Sequence, residues 1–356
     1  MGYAPKVGPR ATDVVLSIPE SVPFVGPESL ERQLGRQFEL RLGANESLFG
    51  ASPMATEAMK RAADHSFLYG DPDGFELRYA IASLHNCQIE NVILGGGIDE
   101  LLMLFARAYL GPGDTAATTR GSYPTFEYAV HSVGGHLSFA EYLDERVNLE
   151  ELRELSKASK IVYIANPDNP SGTWQPLDDF EISPDSLLIL DEAYSDFAPS
   201  APVRIKPGRV QLRTFSKGFG MAGVRIGYAI CESKVVSLLN KIRMHFGVGI
   251  IPQAGALAAL QDIRFVRDVV QQTTEVKDWL ATAIQGVRPS HTNFVLIDLE
   301  SREAAERMLL ELRGLGVFVR KPGQPPLERY IRVSVGPRPA MELFVEKFSA
   351  ALLAIG

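Results

Sequence analysis

The most unusual chemistry in this sequence lies in the stretch RTFSKGFGMAGVRIGY, residues 213–228. Lys217 follows Ser216 directly, and Arg225 comes eight positions later, beyond a run of small and apolar residues. A lysine in a loop is most often a solvated charge. Here, however, Ser216 and Arg225 are suited to holding an anion, and a lysine amine forms Schiff bases with carbonyl compounds. The stretch therefore points to a ligand that carries both an anionic and a carbonyl group.

Two other segments could bind parts of such a ligand. In GGGIDE, residues 95–100, glycines would let backbone N–H groups at a helix N-terminus approach an oxyanion. Taken alone, the segment is more simply explained as a tight turn between strand and helix. The segment matches neither GxGxxG nor a P-loop, which argues against dinucleotides and triphosphates. In DEAY, residues 191–194, a carboxylate at a strand end would be partly desolvated and would need a cation or a proton. The alternative for DEAY is a surface acid that caps a turn.

Polar residues also follow two further strand patterns. NPDNPSG, residues 166–172, is either an ordinary turn or a loop that presents an Asn amide to a ligand oxygen. Arg332, within YIRVSVG at 330–336, is either an edge ion pair or a clamp for a carboxylate or phosphate. One cofactor combines a phosphate, an aldehyde and a protonatable ring nitrogen, namely pyridoxal 5'-phosphate (PLP), whose usual partners are a lysine and an acid.

Alternating strands and helices are predicted to position these loops. Apolar runs at 91–94, 114–119, 160–165, 186–191 and 227–231 indicate strands, and helical patterns separate them. This alternation predicts an α/β fold with a mostly parallel sheet covered on both faces, whose strand ends place the loops together. A long helical region and three strand patterns then predict a smaller α+β unit. The expected divisions are an N-terminal arm at 1–38, a large PLP-binding domain at 39–240 and a small domain at 241–356.

Bulk properties limit the partners of the protein. At 356 residues the chain suggests about two domains, and a formal charge of −7 argues against a nucleic-acid partner. No apolar N-terminal segment and no apolar span of 18 residues occurs, so no membrane association is expected. Cys87 and Cys231 are too far apart for a CxxC metal or redox motif. We expect a cytoplasmic protein with reduced thiols and no metal.

The motifs together resemble the fold type I, class I/II aminotransferases, and most closely the histidinol-phosphate aminotransferase family. The resemblance runs from about residue 19 to the C-terminus and rests on the spacing of NPDNPSG, DEAY, SKGFGMAGVRIGY and IRVSVG. Three earlier segments also look like parts of that family. They are VPFVGPESLERQLGR, which resembles its N-terminal arm, ANESLFGASP, which resembles its NENPxGPSP segment, and YGDPDG, which resembles its YPDPDG loop.

Carried over position by position, the resemblance implies a role for each site residue. Lys217 would form the Schiff base with PLP and then move a proton between the substrate carbon and the cofactor. Asp191 would pair with the pyridinium nitrogen, Asn169 and Tyr194 would hydrogen-bond the phenolic oxygen, and Phe126 would stack on the ring. The residues implied around the cofactor phosphate are Gly97, Ile98, Asp99, Ser216 and Arg225.

The resemblance also implies a homodimer with shared active sites, because Tyr69 would reach the phosphate bound by the neighbouring subunit. Asn45, Arg320 and Arg332 would face the substrate. Two departures from the family pattern stand out. NENP reads NESL here, and Phe24 replaces the tyrosine that touches the substrate phosphate in the family. The second departure leaves the cofactor assignment intact and weakens the case for a phosphorylated substrate.

The implied function is PLP-dependent transfer of an amino group from an amino donor to a 2-oxo acid by ping-pong chemistry, most closely with histidinol phosphate and 2-oxoglutarate in histidine biosynthesis. An aromatic or general amino-acid aminotransferase is one alternative. A PLP lyase similar to the threonine-phosphate decarboxylases is another, since those enzymes share the fold and the motifs. A cofactor-binding regulator would need a DNA-binding domain, for which the short arm leaves no room.

Overall fold

The computed structural model describes residues 9–19, 25–199 and 202–355, and it confirms the predicted α/β class. Phe24 lies outside the described residues. The described strands are β1 (Leu40–Arg41), β2 (Val92–Gly95), β3 (Thr115–Thr119), β4 (His136–Ala140), β5 (Ile161–Ala165), β6 (Leu187–Asp191), β7 (Arg209–Thr214), β8 (Gly227–Ile230), β9 (Phe294–Asp298), β10 (Val317–Phe318) and β11 (Tyr330–Ser334).

The helices alternate with these strands through the first two thirds of the chain. Short 3₁₀ turns occur in addition at 89–91, 195–197, 222–224 and 327–329. The α-helices are α1 (Asp13–Ser17), α2 (Pro27–Leu34), α3 (Pro53–Ala63), α4 (Phe75–His85), α5 (Ile98–Tyr109), α6 (Pro124–Ser132), α7 (Leu149–Ser156), α8 (Ser233–Asn240), α9 (Ile250–Gln261), α10 (Ile263–Ala283), α11 (Arg302–Gly314) and α12 (Arg338–Ile355).

Seven strands form the central sheet, in the order β2-β8-β7-β6-β5-β3-β4. β8 runs antiparallel to both of its neighbours, and the other adjacent pairs are parallel. β5 and β6 are buried along their whole length, as their continuous apolar sequences predict for strands covered on both faces. Neither β4 nor β7 was among the predicted strands. β7 reads RVQLRT, and its alternating polar side chains conceal a strand that is nevertheless almost entirely buried.

Helices cover both faces of this sheet, which gives the predicted three layers. Tyr163 and Ile189 point into a core that α5 and α6 complete with Leu101 and Phe126. The alternate residues of β5 and β6 point into a second core, which includes Leu152 of α7. Because successive side chains of a strand point to opposite faces, one apolar run supplies both cores.

The C-terminal part forms a smaller α+β unit. β9 and β11 pair antiparallel, and α11 and α12 pack on them. β1 pairs in parallel with β10, so that Leu40 and Leu42 join the core of this unit although the sequence assigns them to the large domain. The long helical region divides into α9 and α10 at Asp262. The exact domain limits stay a prediction. No helix of the described residues is long and apolar enough to cross a membrane.

Candidate active site

A cavity of about 750 Å³ opens at the carboxyl ends of β5, β6 and β7, the edge at which open α/β sheets bind ligands. Its wall also includes the N-terminus of α5 and residues from the small unit. Most of the predicted site residues line this cavity, whereas Gly97, Phe126 and Tyr69 do not. The predicted residues on the wall are Asn45, Ile98, Asp99, Asn169, Asp191, Tyr194, Ser216, Lys217, Arg225, Arg320 and Arg332.

Lys217 presents its amine to the cavity from the loop after β7. Its Nζ donates hydrogen bonds to the backbone oxygens of Asn45 at 2.9 Å and Ala44 at 3.4 Å. Burial, together with the nearby Arg332 guanidinium, lowers the pKa of Lys217 to about 8. A larger fraction of this amine is therefore neutral near pH 7 than for a lysine in water, and the neutral amine is the nucleophilic form.

Asp191, at the end of β6, is a buried carboxylate. It accepts hydrogen bonds from the Tyr163 hydroxyl at 2.8 Å and from the Ala193 backbone N–H at 3.0 Å. Burial raises the pKa of Asp191 to about 6, despite these hydrogen bonds. Within the described parts of the chain it forms no ion pair with a lysine, arginine or histidine. A buried acid in this state is stabilised by a proton or by a cation that a ligand brings.

An anion site is built where α5 begins. The first N–H groups of α5, at Ile98 and Asp99, have no partner within the helix and carry partial positive charge. Arg225 lies beside them, with Nη2 donating to Asp99 Oδ2 at 3.1 Å. Gly97 explains how Arg225 comes so close: its φ is +87°, and a Cβ there would lie 2.6 Å from Arg225 Nη2. Gly97 thus makes room for the guanidinium and does not line the wall.

Hydroxyl groups complete this end of the cavity. Thr214, the last residue of β7, donates from its Oγ1 to Ser216 Oγ at 2.9 Å, and the Ser216 backbone N–H donates back to Thr214 Oγ1 at 3.0 Å. Both residues line the cavity. The sequence motif singled out the serine but not the threonine. Together with Arg225 and the start of α5, these groups offer the donors that a phosphate monoester needs.

Two tyrosines form the aromatic wall of the cavity, and the stacking of Phe126 on a cofactor ring stays a prediction. Phe126 is only 1% exposed and stacks on Tyr163, with ring centroids 4.6 Å apart and an interplanar angle of 11°. It is therefore part of the core behind the cavity, because α6 begins at Pro124 and turns Phe126 inward. Tyr163 and Tyr123 line the cavity instead, and the Tyr123 hydroxyl donates to Asp99 Oδ1 at 2.8 Å. The sequence could have pointed to Tyr123 as a wall residue, because it lies just after β3.

Asn45 and Tyr194 form one polar corner of the cavity. Asn45 has a positive φ of 55° and is 2% exposed, and its Nδ2 donates to the Tyr194 hydroxyl at 2.8 Å. Burial raises the pKa of Tyr194 to about 12, so this phenol stays protonated and can donate to a ligand oxygen. Asn169 lies on the same wall and accepts from Arg332 Nη1 at 2.5 Å.

Arg320 and Arg332 converge at another side of the cavity. Arg320 Nε and Arg332 Nη2 donate to the same backbone oxygen, that of Gly43, at 3.1 and 3.0 Å. Burial lowers the pKa of Arg332 to about 10, and the charge of Arg320 contributes to this shift. Arg332 Nε is buried and has no hydrogen-bond partner in the part of the chain that the structure describes. Two neighbouring cations with a spare donor favour an anion in this corner.

Tyr69 lies away from this cavity. It is 83% exposed, and its ring centroid is 4.8 Å from that of Phe246. An exposed position is compatible with the predicted contact to a neighbouring subunit, and that contact stays a prediction.

Comparison with known proteins gives one consistent family. Residues 39–348 match the model for aminotransferase class I and II. Histidinol-phosphate aminotransferase from Moorella thermoacetica is 32% identical over 95% of this chain and 92% of its own length. Histidinol-phosphate aminotransferase 2 from Carboxydothermus hydrogenoformans is 35% identical over 88% of this chain and 91% of its own length.

Solved structures agree with these relatives. The crystal structure of histidinol-phosphate aminotransferase from Sinorhizobium meliloti in complex with pyridoxal-5'-phosphate superposes with a TM-score of 0.94 and 35% identity, covering 99% of this chain and all of that one. A double mutant of Thermus thermophilus aspartate aminotransferase, at 23% identity and a TM-score of 0.78 over 96% of this chain and all of that one, shows the same fold. This chain belongs to the class I and II aminotransferase family.

Proposed function

We propose that this protein is a PLP-dependent aminotransferase that moves the amino group of L-histidinol phosphate to a 2-oxo acid. The observation that carries the proposal is the convergence of Arg320 and Arg332 on the Gly43 oxygen in a cavity that also presents the Lys217 amine. The relatives named histidinol-phosphate aminotransferase, at 32% and 35% identity over most of the chain, support it.

The residues of the cavity fit PLP. Asp191 is a buried carboxylate whose pKa is raised by burial, and a protonated ring nitrogen is the cation that it lacks among the described residues. Ser216, Arg225 and the first N–H groups of α5 would hold the cofactor phosphate. Lys217 would carry the cofactor covalently. When bound, PLP supplies an electron sink that stabilises the negative charge developing on the substrate carbon.

The side chains then have separable tasks. Lys217 Nζ, held by the Asn45 oxygen and with a pKa of about 8, can take up and release a proton near neutral pH. Asp191 would keep the ring nitrogen protonated. The Tyr194 hydroxyl and the Asn169 amide would orient the ring through its phenolic oxygen. These roles, including the proposed stacking by Phe126, stay predictions.

The arginine pair favours a phosphate over a carboxylate. A phosphate monoester carries a charge of about −2 at pH 7, whereas a carboxylate carries −1. Two adjacent guanidiniums, of which Arg320 lowers the pKa of Arg332, are better balanced by the larger charge. Arg332 Nε adds a buried donor that no described residue uses. The arginine pair therefore favours histidinol phosphate over a general amino-acid substrate.

Glu127 favours an imidazole over a phenyl ring. It lines the cavity from α6, and burial raises its pKa, opposed by the charge of Arg120. Its carboxylate makes no hydrogen bond or ion pair with any residue in the described ranges. An imidazole N–H can donate to this carboxylate, and a phenyl ring cannot. Sites that hydrogen-bond a substrate N–H discriminate strongly against analogues without one.

We also propose that the protein is a cytoplasmic homodimer. Both cysteines, Cys87 and Cys231, are free thiols, in keeping with a reducing compartment. The exposed Tyr69 and Phe246 rings form part of an apolar surface that a second subunit would cover. The family membership supports amino-donor and 2-oxo-acid substrates.

The function is tested by single-turnover half-reactions, scored as loss of the visible absorbance of protein-bound PLP. Histidinol phosphate should react rapidly, and phenylalanine should react slowly. Arg332→Met should raise the substrate concentration for half-maximal rate by about 10- to 150-fold, because a charge-assisted hydrogen bond contributes about 1.5–3 kcal/mol. Arg307→Met, at an exposed position of α11 outside the cavity, is the matched control. A fast reaction with phenylalanine and none with histidinol phosphate would contradict the proposed substrate.

A further inference from the structure

A buried ion cluster lies behind the catalytic edge of the sheet. Arg213 of β7 donates from Nε to Glu192 Oε2 at 2.9 Å, and its Nη2 lies 2.8 Å from the same oxygen. Gln211 Nε2 donates to the other carboxylate oxygen of Glu192 at 2.9 Å. The side chains of Arg213 and Glu192 are only 18% and 12% exposed. Neither residue lines the cavity described above, because Arg213 points away from it while the next residue, Thr214, points into it.

Asp196 is the third member of the cluster. Burial raises the pKa of Asp196 to about 6, while the charge of Arg213 and a hydrogen bond from the Gly218 backbone N–H oppose this shift. A Cβ on Gly218 would lie 2.5 Å from Asp196 Oδ2. The backbone at Gly218 therefore packs directly against the Asp196 carboxylate, and only glycine allows this close approach.

Two more titratable groups border the cluster. Tyr228 of β8 lies opposite Arg213 in the sheet register, and its hydroxyl is 2.8 Å from His85 Nε2. Burial lowers the pKa of His85 to about 3, with the charge of Arg213 acting in the same direction, so His85 is neutral near pH 7. Arg213 is the cation in direct contact with Glu192, through the two contacts given above, and Arg209 of the same strand adds a more distant positive charge.

The position of the cluster matters more than its charge. Glu192, which Arg213 contacts, is the neighbour of Asp191, and Gly218, against which the Asp196 carboxylate lies, is the neighbour of Lys217. The cluster therefore contacts the chain next to both Asp191 and Lys217. Buried ion pairs contribute little net stability compared with apolar side chains of equal size, because desolvation offsets their attraction. They do impose a defined geometry. Stability alone is thus a weak reason for three charged groups at this place.

We propose that Arg213, Glu192 and Asp196 are positioning residues, which fix from behind the sheet the directions in which Asp191 and Lys217 enter the cavity. The inference rests on the proposed roles of Asp191 and Lys217. It adds to them a set of residues that touch neither substrate nor cofactor. Loss of the cluster should therefore reduce the rate of the chemical step and alter the ionisation of the site, while substrate affinity changes little.

The test compares variants of the PLP-loaded protein in two readouts. These are the kcat and KM of the reaction, and the midpoint of the pH titration of bound-PLP absorbance. Asp196→Ala, which removes the acceptor for the Gly218 N–H, should lower kcat about tenfold or more with KM within threefold of wild type, and should shift the midpoint. Asp196→Asn keeps an acceptor oxygen and should restore both values towards those of wild type. Arg209→Lys is the matched control, since Arg209 is buried on the same strand and bonds only the backbone oxygens of Leu177 and Phe180.

A purely structural cluster would give a different result. Asp196→Ala would then lower the unfolding temperature as Arg209→Lys does, with kcat and the absorbance midpoint unchanged, and the inference would be overturned. If Asp196→Ala does not fold, Arg213→Lys replaces it, because it keeps the charge and loses the two-pronged contact with Glu192. An unchanged midpoint in Arg213→Lys would equally overturn the inference. A wild-type protein without the PLP absorbance band would instead contradict the proposed function.

Discussion

Lys217 and Asp191 are both held in an environment that disfavours their usual charges. Burial lowers the pKa of the lysine to about 8 and raises the pKa of the acid to about 6. In an enzyme without its cofactor this arrangement costs stability, since each group would be better solvated in the unfolded chain. Such a loss of stability is expected of a site that binds a ligand, here one that would bring a cation to Asp191 and a carbonyl group to Lys217.

Asp191→Asn should stabilise the cofactor-free protein near neutral pH while removing most turnover. The folded pKa of about 6 lies above the unfolded value of about 4, so the stability that this shift contributes is fully present below pH 4 and is lost as pH rises through 6. Two pKa units correspond to at most about 3 kcal/mol, which the amide avoids at pH 7.5. Urea unfolding at pH 7.5 and pH 4.5 measures this, and the advantage of the variant should shrink at the lower pH.

The activity of the same variant provides the second half of the test. An amide cannot balance a protonated ring nitrogen, so kcat should fall by orders of magnitude although the fold is kept. Near wild-type turnover in Asp191→Asn, or a cofactor-free variant no more stable than wild type at pH 7.5, would show that the carboxylate has another role.

At the scale of elements, the start of α5 and the loop before β8 form one unit through Gly97 and Arg225. Gly97→Ala should weaken PLP binding about tenfold or more, because the new Cβ would lie 2.6 Å from Arg225 Nη2 and displace the guanidinium. Gly113→Ala is the control, since its φ is also +87° and a Cβ there meets nothing within 4 Å. A side chain is strained at both positive φ values, and Gly97, whose ψ is 174°, lies in a backbone region almost restricted to glycine, where the strain is about 1–3 kcal/mol.

Equilibrium dialysis measures the PLP affinity of the two glycine variants and so distinguishes between them. Only Gly97→Ala should lose affinity, whereas both variants should lower the unfolding temperature. Equal losses of affinity in both variants would mean that general destabilisation, and not the displaced arginine, limits binding.

The elements also show what the sequence could and could not reveal. β5 and β6 were predictable because strands buried on both faces leave continuous apolar runs, and this in turn located Asp191 and Asn169 at their ends. β7 was not predictable, because its polar side chains can be buried only when they form hydrogen bonds with partners that folding brings close to them. The presence of Tyr123 on the cavity wall, where Phe126 does not lie, was unpredictable for a similar reason. Sequence located α6 nearby but did not give its rotation, which decides what faces the site.

At the scale of the whole molecule, the described surface carries an exposed aromatic cluster on and near α4. Tyr69 is 83% exposed and Phe67 is 79% exposed, and other large apolar side chains lie close to them in sequence or in space. Ring contacts join Tyr69 with Phe246 and Phe75 with Tyr79. Monomeric proteins rarely expose large apolar patches, so this set supports the proposed homodimer. The other members of this exposed set are Phe75, Tyr79, Met244 and Phe246.

Complementation between subunits tests the shared site. Tyr69→Ala and Lys217→Ala should each be inactive or nearly so, and mixing them should restore one functional site per heterodimer, because both defects then fall in the same site and leave the other site intact. Activity after subunit exchange, confirmed by differently tagged chains, is the measurement. Absence of rescue with exchange confirmed would place Tyr69 in the site of its own subunit or outside any site.

The pairing of β1 with β10 has a consequence for the order of synthesis. The segment just after β1 contributes the Gly43 oxygen to Arg320 and Arg332 and the Asn45 oxygen to Lys217. Its own partners lie at 317–318 and at Ser334. On the ribosome, residues 40–45 therefore wait unpaired until nearly the whole chain has emerged, while the central sheet can already form. Contacts between residues this far apart in sequence form late, because closing the long loop between them costs entropy. A nascent chain can thus complete its core well before it can present a finished site to a cofactor.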